Sequence, residues 1–144
     1  MPVLVRLAPH QSPDYAAAVT LRRAVLRTPL GLDFTADQLA AEGDDTHFVA
    51  FDGDILVGAV VMTPYTGETA KLRQMAVAPA AQGKGVGAAL LRAFEDHARA
   101  TGRKAITLAA RLTARGFYER SGYAADGDVF EEVTLPHIHM TKRL

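Results

Sequence analysis

The chain has 144 residues, with sixteen Lys and Arg balanced by sixteen Asp and Glu, five His, and neither Cys nor Trp. That length suits one domain over 1–144 with a core that needs no staples, and the missing cysteine excludes a disulfide scaffold, a thiolate-ligated metal and a thiol nucleophile. Zero formal charge excludes a general attraction to nucleic acid or an anionic membrane, and 49% hydrophobic residues argue against disorder. With no secretory segment and no apolar run of about 18 residues, the expected location is the cytoplasm.

In chain order, Val3 to Leu7 reads as a short strand closed by Ala8-Pro9. Ser12-Pro13-Asp14 opens a helix: Ser12 caps it, Pro13 suits the first turn and Asp14 favours the positive end. Tyr15, Ala18, Val19, Arg22, Val25 and Leu26 keep an amphipathic rhythm up to Thr28-Pro29, and Arg22, Arg23 and Arg27 are expected on the wet side or snorkelling to it. The stretch Leu30-Gly31-Leu32-Asp33-Phe34 is more apolar than a connector requires, and a second short helix is expected from Thr35 to Gly43. Thr46 to Phe51 and Ile55 to Thr63 form a hairpin through Asp52-Gly53; Pro64-Tyr65-Thr66-Gly67 makes the next turn and Thr69 to Val77 the next strand.

The grammar then changes. From Gly83 to Thr101, Val86, Ala89, Leu90, Ala93, Phe94 and Ala98 form a helical stripe that Gly102 ends, with His97 beside it in a structural role. Lys104 to Ala109 is a strand, Leu112 to Ser121 a short helix ended by Gly122, and late strands from Tyr123 and over Pro136 to Arg143 enclose a long loop. A strand–helix–strand crossover adds one parallel neighbour to an antiparallel meander. The expected fold is α+β, a mixed, mostly antiparallel sheet flanked by helices.

The most informative run is Met75-Ala76-Val77-Ala78-Pro79-Ala80-Ala81-Gln82-Gly83-Lys84-Gly85-Val86-Gly87. A strand enters a turn, three alternating glycines follow, and a long helix begins among them. Helix starts present unpaired N–H groups and partial positive charge, glycine lets that backbone come close to a ligand, and Lys84 adds a full charge, so the loop suits phosphate. A P-loop fails at both ends, because Gly85 follows Gly83-Lys84 and Ala78 stands five before Gly83. A dinucleotide fingerprint fails because its third glycine is misplaced. What remains is the pyrophosphate of coenzyme A, or a helix start that binds nothing.

Here the sequence resembles the GNAT (Gcn5-related N-acetyltransferase) superfamily. Its acetyl-CoA motif Q/R-x-x-G-x-G/A is similar to Gln82-Gly83-Lys84-Gly85-Val86-Gly87 followed by Ala88, and Ala114-Arg115-Gly116-Phe117-Tyr118-Glu119-Arg120-Ser121-Gly122-Tyr123 resembles the A-x-x-F-Y-E-K-x-G-F segment. The tail with Glu132, Pro136, His137 and Met140 looks like a subgroup ending E-x-x-x-P-H-x-x-M. The resemblance implies an acetyl-CoA-dependent N-acetyltransferase, and dimers are common in the superfamily. It implies that Met75 and Val77, with Ala76 between them, pair with the pantetheine arm. It further implies that amides of Gly83, Lys84, Gly85, Val86, Gly87 and Ala88, beside Gln82, hold the pyrophosphate, and that Tyr118 protonates the departing thiolate. Seven residues before that tyrosine the family often has a cofactor-contacting Asn; Arg111 stands here, and a guanidinium can meet a phosphate instead.

Acetyl transfer to an amine also asks for a neutral amine, and Asp33, Glu68, Glu131, Glu132, His137 and His139 are the candidates for its base. Glu132 or His137 is expected to face the acceptor cleft. His137 and His139 share one strand face, yet no carboxylate is fixed beside them by sequence, so no metal is expected. The acceptor is a primary amine of a small molecule or protein, with Leu30 to Phe34 and Asp126 to Leu135 shaping its site from apolar and acidic residues. The competing reading is a non-catalytic acyl-CoA-binding regulatory domain on the same fold. Gly116 is expected to allow close approach of its helix to the cofactor or to a neighbouring element.

Overall fold

A computed structural model describes residues 3–144. One seven-stranded sheet runs in the order β1-β2-β3-β4-β5-β7-β6. Its strands are β1 (Leu4–Leu7), β2 (Thr46–Asp52), β3 (Ile55–Thr66), β4 (Thr69–Val77), β5 (Ala105–Arg111), β6 (Ala124–Glu132) and β7 (Leu135–Arg143). The helices are α1 (Pro13–Arg22), α2 (Ala36–Ala40), α3 (Val86–Ala100) and α4 (Arg115–Arg120). Every strand pair is antiparallel except β4–β5, which α3 joins as a crossover. The mixed α+β fold read from the sequence is the fold observed.

Alternation along the central strands divides the core into two layers. Phe48, Ala50, Val60 and Met62 pack with Leu90, Leu91, Phe94 and Ala98 of α3, while Val49 and Ala59 meet Ala18 of α1 on the other face. Leu90 and Phe94 are fully buried, each stabilising the fold by about 1.5–3 kcal/mol. The helix sits so close to the sheet that a Cβ on Gly58 would lie 2.8 Å from both Leu90 Cδ1 and Val86 Cγ1. His97 packs edge-on to Phe48 with centroids 5.4 Å apart, the structural role expected of it.

Local chemistry starts the helices. Ser12 accepts from the Tyr15 N–H at the head of α1, and Thr35 and Gln38 form a reciprocal capping box on α2. At the other end of the sheet, buried Glu95 of α3 accepts from the Tyr123 hydroxyl and Lys142, and Lys142 also donates to the Ser121 carbonyl that closes α4. That network fixes the short helix carrying Tyr118.

Three local expectations need correction. Pro64 lies inside β3 rather than in a turn: β2 begins opposite Met62, so the β2-facing side at Pro64 has no ladder to interrupt. The last two strands form a hairpin, not the flanks of a long loop, and its turn residues Val133 and Thr134 hold φ of 43° and 68°. Such values usually call for Asn or Gly, so residue type gave no turn signal. Finally, α1 stops at Arg22 and continues as a π-helical turn over Arg23–Arg27, with Arg22 fully buried instead of wet.

Candidate active site

The parallel strands β4 and β5 pair only from Thr69 to Leu72 and from Ala105 to Leu108. Beyond Leu72, β5 stays paired with β7 while β4 bulges, because Ala59 and Val61 face Ala76 and Arg73 with two residues between them. The strands therefore splay. A cavity of about 170 Å³ occupies the gap, lined among others by Met75, Gln74, Arg111, Tyr118, Glu132 and His137. A wider one of about 480 Å³ continues past Arg27, Lys71 and Arg73.

At one end lies the glycine loop. Gly83 and Gly85 hold φ of 76° and 85°, a left-handed backbone that side chains resist, and no atom lies within 4 Å of where their Cβ atoms would be. Gly85 is the N-cap of α3 and offers no side chain to cap it, so the first-turn N–H groups of this 15-residue helix are open to a ligand anion. Lys84 is exposed beside them, whereas the Val86 side chain is buried under Gly58 and has only its backbone to offer. Gln82 folds back, its Nε2 donating to the Val77 carbonyl at 3.1 Å. Gly87 has a packing reason of its own: a Cβ there would meet the Phe117 ring at 3.2 Å. Gly116, by contrast, has only the flexible tip of Arg120 nearby, so no neighbouring element approaches it closely.

At the middle of the cleft, Tyr118 is 5% exposed, packed against Phe117 and Tyr123 at its back. Burial alone pushes its phenol well above the ordinary value of 10. His137, 3% exposed, gives its Nδ1 hydrogen to the Leu135 carbonyl at 2.9 Å, which leaves the Nε2 lone pair of the neutral ring free. Glu132 Oε2 stands 3.8 Å from that nitrogen with its side chain half in solvent. Of the candidate bases, only these two line the cleft. Asp33 is paired with Arg23 and accepts the Phe34 N–H, which together lower its pKa; Glu68 pairs with Lys104, and His139 with Thr107. The two histidines thus have separate partners, and among the described residues no cluster of three metal-ligating side chains exists.

Arg111 Nη2 crosses the gap to donate to the Leu26 carbonyl at 2.9 Å, on the side of the cleft where the π turn lies. There it joins residues that sequence reasoning missed: Arg27 and Gln74, which line both cavities and a third of about 180 Å³ beside Phe34 and Glu42, with Arg73 and Lys71. Arg27 has its pKa lowered by burial first, then by Arg111, Arg22 and Arg73, with Glu132 opposing. The π turn explains its aim. The Thr28 N–H bonds the Arg23 carbonyl, five residues back, and this wider turn brings Arg22 and Arg27 to the same Phe34 ring, 5.0 and 4.8 Å from its centroid. Phe34 accounts for the unusual apolar connector. The side chains around this end of the cleft are mostly cationic, Arg27, Lys71, Arg73 and Arg111, with Glu132 and Val133 of the β6–β7 hairpin and Phe34 beside them.

A free strand edge leading from a phosphate-suited helix start to a buried tyrosine and histidine defines an acyl-transfer cleft of the acyl-CoA N-acyltransferase fold. Comparison with known proteins gives the family. The model described as an acetyltransferase (GNAT) domain matches residues 28–144. A Bacillus subtilis (strain 168) protein whose name describes it as an acetyltransferase is 30% identical over 133 residues, 90% of each chain. An N-acetyltransferase crystal structure from Lactobacillus plantarum superposes with a TM-score of 0.85 at 26% identity, covering 99% of this chain and 98% of that one. A GNAT acetyltransferase from Elizabethkingia anophelis, solved with acetyl-CoA bound, shares the fold at a TM-score of 0.76 and 16% identity, over 99% and 98% of the chains. The chain belongs to the GNAT family of N-acetyltransferases. Among the described residues, no helix is long and apolar enough to cross a membrane.

Proposed function

We propose that the protein moves an acetyl group from acetyl-CoA directly to a primary amine, and that the acceptor also carries an acidic group. The observation behind the first half is the meeting of Tyr118, His137 and the free edge of β4 in one cavity. In this reading the pantetheine arm follows Met75, Ala76 and Val77. Backbone N–H groups of Gly83, Lys84, Gly85, Val86, Gly87 and Ala88 hold the pyrophosphate, and Gln82 braces the loop.

His137 Nε2, with Glu132 beside it, takes a proton from the ammonium. The amine lone pair attacks the thioester carbon, a C–N bond forms and the C–S bond breaks. Its electron pair leaves on sulfur, which receives the Tyr118 proton, while the newly bonded nitrogen gives its second proton to solvent to leave a neutral amide, and Tyr118 regains a proton from water. A thiol ordinarily titrates near ~8.5, well below the raised phenol, so that proton transfer is uphill in water. The same burial that raises the phenol also disfavours a bare thiolate, and this narrows the gap. With no cysteine in the chain, no acetyl-thioenzyme intervenes.

The second half rests on Arg27, Arg73, Lys71 and Arg111, which line the acceptor end with Glu132 as the carboxylate facing them. A cationic pocket favours a carboxylate or phosphate on the acceptor, and the amine then points toward Glu132 and His137. To test the activity, the protein is mixed with acetyl-CoA and a panel of amines and free thiol release is followed. Turnover with an acid-bearing amine is the expected result. CoA binding without turnover across the panel contradicts it and favours a non-catalytic acyl-CoA-binding domain.

A further inference from the structure

Arg22 has no exposed surface, and its side chain is the largest so completely buried. A buried guanidinium is costly unless its donors are used. Here Nη1 and Nη2 bond the two Glu42 oxygens, and Nε donates to Gln74 Oε1 at 2.8 Å. The Tyr15 hydroxyl donates to Glu42 at 2.8 Å, and the His47 ring nitrogen Nε2 donates to the Glu42 backbone carbonyl. Burial alone pushes the Glu42 carboxyl up, but the Arg22 and Tyr15 bonds outweigh it and the carboxyl stays ionised. One fork thus serves three acceptor atoms, which a lysine ammonium on a flexible stem cannot do in one plane.

Gln74 is the residue where β4 bulges, and it holds φ of 55°. An ordinary side chain adopts that backbone only with support. The support is the fork of Arg22, reached through 52 residues of chain. The bulge carries the strand edge into the cleft, and Gln74 lines all three cavities.

We propose that Arg22 is a positioning residue for acetyl transfer: by holding the Gln74 side chain it locks the β4 bulge, and so fixes the backbone N–H groups near Met75 to Val77, which in this proposal polarise the thioester carbonyl. The inference rests on acetyl-CoA lying along β4 as proposed above. Glu42 orients Arg22, Tyr15 orients Glu42, and the segments from α1 to β2 thereby set the geometry of a strand edge they do not themselves form. The fork touches no reacting atom; it acts through Gln74.

Two variants test this. Gln74→Met keeps length and removes the acceptor. The double variant Arg22→Met with Glu42→Leu removes both buried charges together, leaving no orphaned ion to unfold the chain. Each is read by isotope-edited infrared spectroscopy of bound acetyl-CoA labelled with carbon-13 at the thioester carbonyl, by kcat, and by the Kd of desacetyl CoA. In the wild-type protein the carbonyl band lies below its solution frequency. In both variants it returns toward the solution value and kcat falls about tenfold or more, while the CoA Kd moves by less than about threefold. A merely structural role would not move the band. An unchanged band and kcat in either folded variant overturn the inference alone, whereas a wild-type protein that neither binds acetyl-CoA nor releases thiol overturns it together with the proposed function.

Discussion

The glycine-loop end of the cleft is made of backbone, supplied by one continuous stretch from Met75 to Ala88, whereas the acceptor end is made of side chains from the π turn, β4, β5 and the β6–β7 hairpin. In the proposed reading the first end binds through amide groups that any sequence of suitable φ can present, so glycine positions specify it. The second depends on Arg27, Arg73, Arg111, Glu132 and His137 being brought together by the sheet order, in which β5 pairs with β7 and not with β6. Substitutions should therefore separate the two ends: those at the loop act on cofactor binding, and those at the middle and far end act on turnover.

The largest expected effect is on turnover. Tyr118→Phe and His137→Gln each lower kcat by roughly 10²–10⁴, the range of general acid–base catalysis, with acetyl-CoA affinity unchanged by calorimetry. Equal loss of affinity would dissolve the distinction between the ends. Next comes Gly85→Glu, which places a carboxylate at the α3 start and a side chain at φ of 85°. CoA at a hundred times its Kd stabilises the wild type by about 2.7 kcal/mol, and the variant should show no such thermal shift.

Smaller is Gly58→Ala. With Leu90 and Val86 atoms 2.8 Å from the new Cβ, overpacking should cost about 1–3 kcal/mol in denaturant unfolding. The smallest effect is a pH dependence. Burial lowers the His47 pKa from its ordinary 6.5, so the unfolded chain binds that proton more readily. The stability this supplies is whole above pH 6.5 and declines as the pH falls through the lowered value. Asp45, raised by burial from 3.8, pulls the opposite way at lower pH. His47→Gln keeps a donor for the Glu42 carbonyl and should flatten the Tm profile between neutrality and mild acid.

How far the sequence speaks follows the same division. The element order, the mixed sheet and the glycine loop are legible because they rest on periodicity, turn residues and helix capping, all local. Tyr118 and His137 are legible through motif resemblance, and their cavity is where the structure brings them. Arg22 and Arg27 are not: amphipathic spacing puts arginine in water, and only a π turn together with Glu42, Gln74 and Phe34 turns them inward. The Val133-Thr134 turn is hidden for a related reason, since residues at φ of 43° and 68° are held by the hairpin rather than by their own preference.

The central claim is that the acceptor end recognises an acid on the amine it acetylates. The most direct measurement is kcat/KM for an amino acid and for its decarboxylated amine, in the wild type and in Arg73→Glu. The expected result is a preference for the amino acid that the substitution abolishes or reverses, with acetyl-CoA affinity unaltered. Equal use of both amines by the wild type, or a preference for the decarboxylated one, would contradict it.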